Sequence, residues 1–312
     1  MVASVLKVAV GLGLLIALVL YLDVNALLRS VAQANVWYLG IASSLVFANI
    51  GLQFIRWRYL VRLVISGMPD KNIISSLFIG YSTGFFTPGQ VGEHGGRMIS
   101  LAPMQAIQVL AISLIDKIYI LAITVIAGLI GAWFYCITYL PRLWSPWLTA
   151  VVIAVVLSFL LIVLYPDLLK TILRAVLHKV RKYRAVSAFL FVKDVFHRRQ
   201  ARVLLVLTII FYFVIILQYH FFVRAFEPVS LDVSALCTSN IMFIKAVILP
   251  ISLGDLGIRE STAIFFFSRA GISAASAFNA SLCVFFVNIF IPSVIGSVLI
   301  LRSKSSKPKA AH

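Results

Sequence analysis

The segment PGQVGEHGGR, residues 88–97, recurs in altered form as PISLGDLGIR, residues 250–259. Proline, glycine, an acidic residue, glycine and arginine occupy the same offsets in both, giving the pairs Pro88/Pro250, Gly92/Gly254, Glu93/Asp255, Gly95/Gly257 and Arg97/Arg259. Each copy follows a short apolar stretch and precedes a long one. Matches of this chemical kind at five of ten positions indicate an internal repeat.

The composition around these motifs identifies the environment of the chain. Of its 312 residues, 62% are hydrophobic and only 12% are charged, which is about half the charged fraction of soluble domains. Lipid must therefore surround most of the chain. Stretches long enough to cross a bilayer core, which takes roughly 20 helical residues, occupy residues 5–22, 36–54, 105–135, 146–165, 203–222 and 273–301. The predicted fold is an all-α membrane protein with about six full transmembrane helices and two broken, re-entrant hairpins.

Positive charge is concentrated beside the apolar spans, so the net charge of +17 indicates membrane topology rather than nucleic-acid binding. Lys and Arg cluster at Arg56, Arg58, Arg62 and Lys71, in the segment 166–202, and in the tail 302–312. Because cytoplasmic loops carry the excess of Lys and Arg, all three clusters are predicted to be cytoplasmic. This predicts a multi-pass protein of the inner (cytoplasmic) membrane with a cytoplasmic C-terminus.

Counting membrane crossings predicts from which face each of the two broken segments, near residues 72–87 and 233–251, enters the membrane. If the first broken segment crossed the membrane fully, the basic segment 166–202 would lie outside. The first broken segment is therefore predicted to enter from the cytoplasm and return to it. The second is predicted to enter from the opposite face, either as a re-entrant hairpin or as two short crossings. The predicted organisation is one polytopic domain, 1–312, with a first repeat at 36–135, a basic cytoplasmic amphipathic segment at 166–202, a second repeat at 203–301 and a basic tail at 302–312.

Inverted repeats with broken helices place substrate sites near the membrane midplane. Proline ends the entering helix because it lacks an N–H, and glycine permits a positive φ at a tight reversal. The predicted hairpin backbone residues are Pro88, Gly92, Gly95, Pro250, Gly254 and Gly257.

Arg97 and Arg259 are the main candidates for substrate binding. A buried arginine at bilayer depth costs about 2.5 kcal/mol or more unless it is paired or hydrated. In one interpretation each guanidinium binds a phosphate or another anionic headgroup, while Glu93 and Asp255 tune the arginine, contact a cationic headgroup or carry a coupling proton. In the other, each arginine pairs with its neighbouring acid and only fastens the hairpin.

Other charges fall within apolar segments. Asp116 and Lys117 are adjacent in one span and face different directions on a helix, and Lys245 lies in the second broken segment. Substrate binding and packing are both open for these side chains. The three cysteines have no metal-ligand spacing, and the chain shows no nucleotide-binding loop, metalloprotease motif or nucleophile elbow. No metal, no cofactor and no enzymatic activity are predicted, although catalysis by membrane-embedded carboxylates stays an alternative.

The segments FFTPGQVGEHGGRMISL, from residue 85, and LPISLGDLGIREST, from residue 249, resemble the two signature regions of the lysylphosphatidylglycerol synthetase transmembrane-region, or flippase-like, family. That family includes the membrane half of the multiple peptide resistance factor. Its first pattern is matched by Pro88, Gly92, Glu93 and Arg97. Its second is matched by Gly254, Gly257, Arg259 and Glu260, with Asp255 in place of a common glycine.

The resemblance implies translocation of a lipid or a lipid-linked headgroup. Aminoacyl transfer is not expected, because the 312 residues contain no soluble transferase domain. The predicted function is a lipid flippase or transporter for an anionic phospholipid or lipid-linked headgroup. The alternatives are an accessory membrane scaffold for a glycosyltransferase or lipid-modifying enzyme, and an ion-coupled transporter of a small anion. The expected partners are anionic membrane lipids and a lipid-synthesis enzyme or glycosyltransferase, without nucleic acid.

Overall fold

The computed structural model describes residues 13, 18–20, 22–87, 90–101, 105–141, 145–165, 167, 196–248 and 256–305. Every regular element in these residues is helical. The helices are α1 (Val24–Ala32), α2 (Val36–Val64), α3 (Asp70–Phe85), α4 (Val91–Leu101), α5 (Ala106–Tyr139), α6 (Pro146–Leu164), α7 (Arg198–Phe226), α8 (Leu231–Val247), α9 (Ile258–Arg269), α10 (Ala274–Phe285) and α11 (Ile291–Ser305), with a π-helical turn over Phe286–Phe290 joining the last two.

The all-α membrane class is confirmed. Four helical segments of the described chain are long and apolar enough to cross a membrane: α2, α5, α7 and the continuous stretch Ala274–Arg302 formed by α10, the π-helical turn and most of α11. Helix α6 is a shorter apolar helix of 19 residues. The predicted span 5–22, the basic segment 166–202 and the tail lie largely outside the described residues.

Local sequence sets where the long helices begin. The Asn35 side chain accepts hydrogen bonds from the N–H groups of Trp37 and Tyr38 and caps α2. Ser145 caps α6 in the same way, and Pro146 follows it at the first helical position, where a missing N–H costs nothing. These caps satisfy backbone donors that have no partner inside the helix.

Helices α2 and α7 pack antiparallel along their lengths. The Asn35 N–H donates to the Ala225 carbonyl at 2.7 Å, and Gln218 Nε2 donates to the Ala42 carbonyl at 3.1 Å. Each of these helices opens one of the two predicted repeats. Their antiparallel packing is the relation that an inverted repeat requires, and the repeat boundaries stay a prediction.

Helices α3 and α4 form a hairpin that enters the bundle and returns. Thr83 Oγ1 donates to the Gly92 carbonyl across the hairpin at 2.8 Å. Helix α3 also packs on α11, where the Ser82 and Ser297 hydroxyls are 2.8 Å apart. In the second half, α8 packs on α5, and a Cβ built on Gly131 would lie 3.1 Å from Ser239 Cβ. Each first hairpin helix therefore packs against the closing span of the other half.

The predicted role of the glycines in the first hairpin needs correction. Among the described residues of this turn, the positive φ falls on Gln90, at 56°, and not on Gly92 or Gly95. Gly92 is helical, and a Cβ there would overlap the Thr83 carbonyl and the Thr87 side chain. Its function is to let two helices approach closely. In the second motif Gly257 does have a positive φ, at 89°, as glycine permits.

The helix ends that border the three basic segments lie at one end of the bundle. Helix α2 ends beside the start of α7 because the two are antiparallel. Helix α6 ends beside the first half of α5, where Tyr119 Oη donates to the Val163 carbonyl at 3.1 Å. The first half of α5 also contacts the second half of α2 through Asp116 and Arg56, and α11 runs antiparallel to α3, with Ser293 near Tyr81 and Gly296 near Phe78. This is the arrangement that the positive-inside rule requires, and the assignment of this end to the cytoplasm stays a prediction.

Two separate apolar cores fill the two ends of the bundle. The core at the basic end includes Trp57, Leu77 and Leu204. The core at the opposite end includes Tyr219, Phe267 and Ala280. Arg97 borders the first core and Arg259 the second, so the two arginine motifs lie in opposite halves of the molecule.

Candidate functional site

Five charged side chains from three helices form one continuous series around Arg97, which we call the Arg97 ion chain. It runs from Lys117 to Glu93, Arg97, Asp116 and Arg56, so the sign of the charge alternates at every step. The N···O distances are 3.8, 2.5, 3.5 and 2.5 Å in that order. The first hairpin, α2 and α5 therefore assemble a charged network from residues far apart in the sequence.

The hairpin and α2 fix the Arg97 side chain between them. Arg97 and Glu93 are four residues apart on α4, the spacing that places two side chains on one helix face. The arginine crosses α3 at Gly80, where a Cβ would lie 2.8 Å from Arg97 Cγ. Its guanidinium lies over the Trp57 ring, 4.7 Å from the centroid, and Trp57 Nε1 donates to Ser76 Oγ at 2.8 Å. Stacking on a buried indole stabilises a cation and fixes its plane.

The Arg97 ion chain carries a net positive charge. Three cations, Lys117, Arg97 and Arg56, face two carboxylates, Glu93 and Asp116, which leaves one uncompensated positive charge. Several buried donors there also have no hydrogen-bond partner among the described residues: Arg56 Nε and Nη1, Arg97 Nε and the Tyr81 hydroxyl. Because buried donors are nearly always satisfied, this site is short of negative charge and of acceptors.

The two ends of the chain differ in exposure: Lys117 is the most exposed member and Arg56 the least. The exposed fractions of the side chains are 40% for Lys117, 14% for Glu93, 3% for Arg97, 9% for Asp116 and 1% for Arg56. Lys117 is therefore the accessible end, held by Glu93 at the longest distance in the chain and by Gln90 Oε1 at 3.2 Å.

The surface around Lys117 is apolar. Leu114 and Leu121, three residues before and four after it on α5, are both exposed, and this spacing puts all three on one helix face. Val91, at the start of α4, is exposed as well. The accessible ammonium group of Lys117 therefore lies within an exposed apolar helix surface.

Arg56 is the residue whose predicted location was wrong. The sequence grouped it with the basic, cytoplasmic positions at the end of α2, but it is 1% exposed and paired with Asp116. Its spacing was the available signal: Asn49 and Arg56 are seven residues apart, share one face of α2 and are both buried. Two further polar residues of the site were not predicted as site residues: Tyr81 and His94, whose Nδ1 is 2.7 Å from Ser113 Oγ.

The second motif forms a compact pair, which we call the Arg259 pair. Arg259 Nη2 lies 2.6 Å from Glu260 Oε1, and the two side chains are 1% and 0% exposed. The other Glu260 oxygen accepts the Gly257 N–H at 2.8 Å and so caps α9. Ser281 Oγ is 3.2 Å from Arg259 Nε and 3.3 Å from Glu260 Oε1. Among the described residues, one cation and one carboxylate therefore balance each other in a fully buried pair.

The remaining predicted residues are distributed as follows. Lys245 lies in the last turn of α8 and is partly exposed. The residues outside the described part of the chain are Pro88, Pro250, Gly254 and Asp255. Within the described part, no group of three or more His, Cys, Asp or Glu side chains is placed to hold a metal ion.

An aromatic contact connects the two motifs. The Arg259 guanidinium lies 5.3 Å from the centroid of the Phe285 ring, and Phe285 in turn lies 6.2 Å from Phe85, at the end of α3. Phe285 is the last residue of α10 before the π-helical turn. The tip of the first hairpin therefore touches the side chain that packs on the second arginine.

A family model for the lysylphosphatidylglycerol synthase TM region matches residues 4–296. The chain belongs to this family. The match covers both motifs and every helix that carries a residue of the ion chain, and it confirms the resemblance found in the signature segments. Family membership associates the protein with membrane lipids. No match was found among curated proteins or among solved structures.

Proposed function

We propose that the protein moves a lipid with an anionic headgroup from one leaflet of the membrane to the other, and that the Arg97 ion chain binds the headgroup. The observation that carries this proposal is a positively charged network whose exposed end, Lys117, opens onto an apolar surface. A lipid presents a negative headgroup and apolar chains together, and this surface offers a complementary partner to each.

The headgroup phosphate is bound first by Lys117. The Lys117 side chain is 40% exposed and its ammonium group contacts Glu93 at 3.8 Å and Gln90 at 3.2 Å, so it can donate to a phosphate oxygen without leaving the chain. Arg97 and Arg56 lie behind it and add positive potential in a medium of low dielectric constant. The acyl chains lie against the exposed apolar side chains of α4 and α5.

The lateral position of Lys117 favours a lipid over a small soluble anion. A carrier for a soluble anion has to present its cations to an aqueous path, whereas Lys117 lies between exposed leucines on a helix long enough to span the membrane. Among the described residues of the second motif, Arg259 and Glu260 balance each other's charge and are fully buried. We therefore assign headgroup binding to the first motif and a structural role to the second.

The proposal also covers the membrane, the orientation and the partner of the protein. We place it in the inner membrane with the basic end of the bundle in the cytoplasm. It acts as a carrier without enzymatic activity, and it receives its lipid from, or delivers it to, a lipid-synthesis enzyme or glycosyltransferase.

Exchange of fluorescent phosphatidylglycerol between leaflets of proteoliposomes tests the proposal. Lys117→Gln should slow exchange about tenfold or more, because a charge-assisted hydrogen bond contributes about 1.5–3 kcal/mol. Lys117→Arg, which keeps the charge, should retain most of the rate. Arg58→Gln is the matched control, since Arg58 pairs with Asp70 at the exposed end of α2. Unchanged exchange in Lys117→Gln, or no exchange by the wild-type protein, would overturn the proposal.

A further inference from the structure

The charge of the Arg97 ion chain restricts the headgroup that it can accept. The described charged side chains that contact one another here are Arg56 on α2, Glu93 and Arg97 on α4, and Asp116 and Lys117 on α5. Lys117 and the two arginines exceed the two carboxylates by one charge. His94 and Tyr81, the other titratable groups facing the site, are uncharged at neutral to mildly alkaline pH.

A bound headgroup adds its own charge to this total in a poorly solvated place. Uncompensated charge is costly at membrane depth, so the stable complex is the one whose total is zero. A headgroup with a single negative charge gives that total. A zwitterionic headgroup leaves the excess positive charge in place, and a dianionic headgroup reverses its sign.

We infer that the protein selects lipids whose headgroup carries one net negative charge, a phosphodiester without a cationic group, and that the count of charges in the Arg97 ion chain sets this selectivity. The inference rests on the proposed function and names its substrate class. Phosphatidylglycerol has this headgroup chemistry. Phosphatidylcholine is zwitterionic, and phosphatidic acid approaches two negative charges at roughly pH 8.

Glu93 is the residue at which the charge count can be changed with least disturbance. It is more exposed than Arg97 and Arg56. A glutamine there keeps an oxygen that can accept from Arg97 Nη2, which contacts Glu93 at 2.5 Å. Glu93→Gln therefore raises the net charge by one and retains the hydrogen bond. Glu93→Asp is the matched control, because it keeps the charge while changing the side-chain length.

The experiment measures competition between lipids in the same proteoliposomes at roughly pH 8, where histidine is neutral. Differently coloured phosphatidylglycerol, phosphatidylcholine and phosphatidic acid are followed together, so each result is a ratio that does not depend on how much protein is folded. The wild-type protein should exchange phosphatidylglycerol about tenfold faster than either other lipid. Glu93→Gln should shift the preference toward phosphatidic acid by about tenfold, while Glu93→Asp keeps the wild-type order.

The outcomes separate this inference from the proposed function. If the wild-type protein exchanges all three lipids equally, or if Glu93→Gln keeps the wild-type ratios, selection by net charge is wrong although lipid exchange stands. If no lipid is exchanged, the proposed function itself fails and the inference with it. A final measurement uses vesicles loaded with glycerophosphoglycerol, the free headgroup. Its release without any lipid exchange would show that the site binds the free phosphodiester and not a lipid.

Discussion

The two arginine motifs share a sequence pattern but form different sites. In the Arg97 ion chain three cations meet two carboxylates, and the end at Lys117 is 40% exposed. In the Arg259 pair one cation meets one carboxylate, and both are buried. The difference arises from the spans that face each motif: α5 presents Asp116 and Lys117 to the first hairpin, whereas α10 presents Ser281 to the second. A repeated motif therefore does not imply a repeated binding site.

The position of the acid relative to the arginine also differs. Glu93 precedes Arg97 by one helical turn, so its carboxylate points along α4 and remains within reach of Lys117. Glu260 directly follows Arg259, and its second oxygen caps the helix that carries both. The first acid is shared between two cations, Arg97 and Lys117. The second is part of the start of α9.

The largest expected effect is on stability, from breaking the balance of the Arg259 pair. Glu260→Gln keeps an acceptor for the Gly257 N–H but removes the carboxylate that lies 2.6 Å from Arg259 Nη2 in a fully buried site. We expect a loss of about 3–5 kcal/mol in the free energy of unfolding, measured by thermal and denaturant unfolding in detergent. Glu93→Gln should cost clearly less, because Arg97 keeps Asp116. Equal losses in the two variants would contradict the distinction between the sites.

The double variant Arg259→Met with Glu260→Gln provides the control for that prediction. The double variant removes the buried cation together with its carboxylate, and buried ion pairs can often be replaced by apolar residues without loss of stability. We expect most of the lost stability to return. No recovery would mean that Arg259 is needed for more than its pairing with Glu260.

The next effect concerns packing within the first hairpin. Gly92→Ala should destabilise the protein by about 1–3 kcal/mol, since its Cβ would overlap the Thr83 carbonyl in α3 and the Thr87 side chain just after that helix. Gly95→Ala is the matched control on the same helix, because nothing lies within 4 Å of a Cβ there. Thermal unfolding of the two variants tests this, and equal stability would show that the hairpin is not closely packed at Gly92.

A smaller effect is expected from replacing Trp57, whose ring packs against the Arg97 guanidinium. Trp57→Phe removes the hydrogen bond to Ser76 and weakens the stacking of the guanidinium. We expect a loss of about 1 kcal/mol together with slower phosphatidylglycerol exchange. Wild-type exchange in a correctly folded Trp57→Phe variant would show that the indole does not position Arg97.

The smallest effect is expected at the exposed end of α2. Arg62 Nη2 and Asp70 Oδ1 are 3.0 Å apart, and both side chains are nearly half exposed. Arg62→Gln should therefore change stability by less than about 1 kcal/mol, and raising the salt concentration should reduce even that difference. A larger, salt-independent loss in unfolding experiments would show that this pair is not the solvated contact seen here.

The sequence by itself determined the membrane class, the two hairpins and the chemistry of the motifs. Hydrophobic runs of span length admit only a helical bundle in lipid, and each motif begins just after the end of a helix, α3 at Phe85 and α8 at Val247. Most residues of the Arg97 ion chain were also recognisable, because a charge inside an apolar span is unusual whatever its partner.

Only the tertiary structure decided which charges meet. Arg56 and Asp116 are 60 residues apart, and their contact depends on how α2 packs against α5. The local sequence placed Arg56 in a solvated basic cluster because Arg58 and Arg62 follow it. On α2, however, Arg56 faces the interior and is buried, whereas Arg58 and Arg62 face outward and are exposed. Electrostatic energy depends on distance and burial, and neither is fixed until the helices have packed. For that reason one copy of the repeated motif forms the partly exposed Arg97 ion chain and the other forms the buried Arg259 pair.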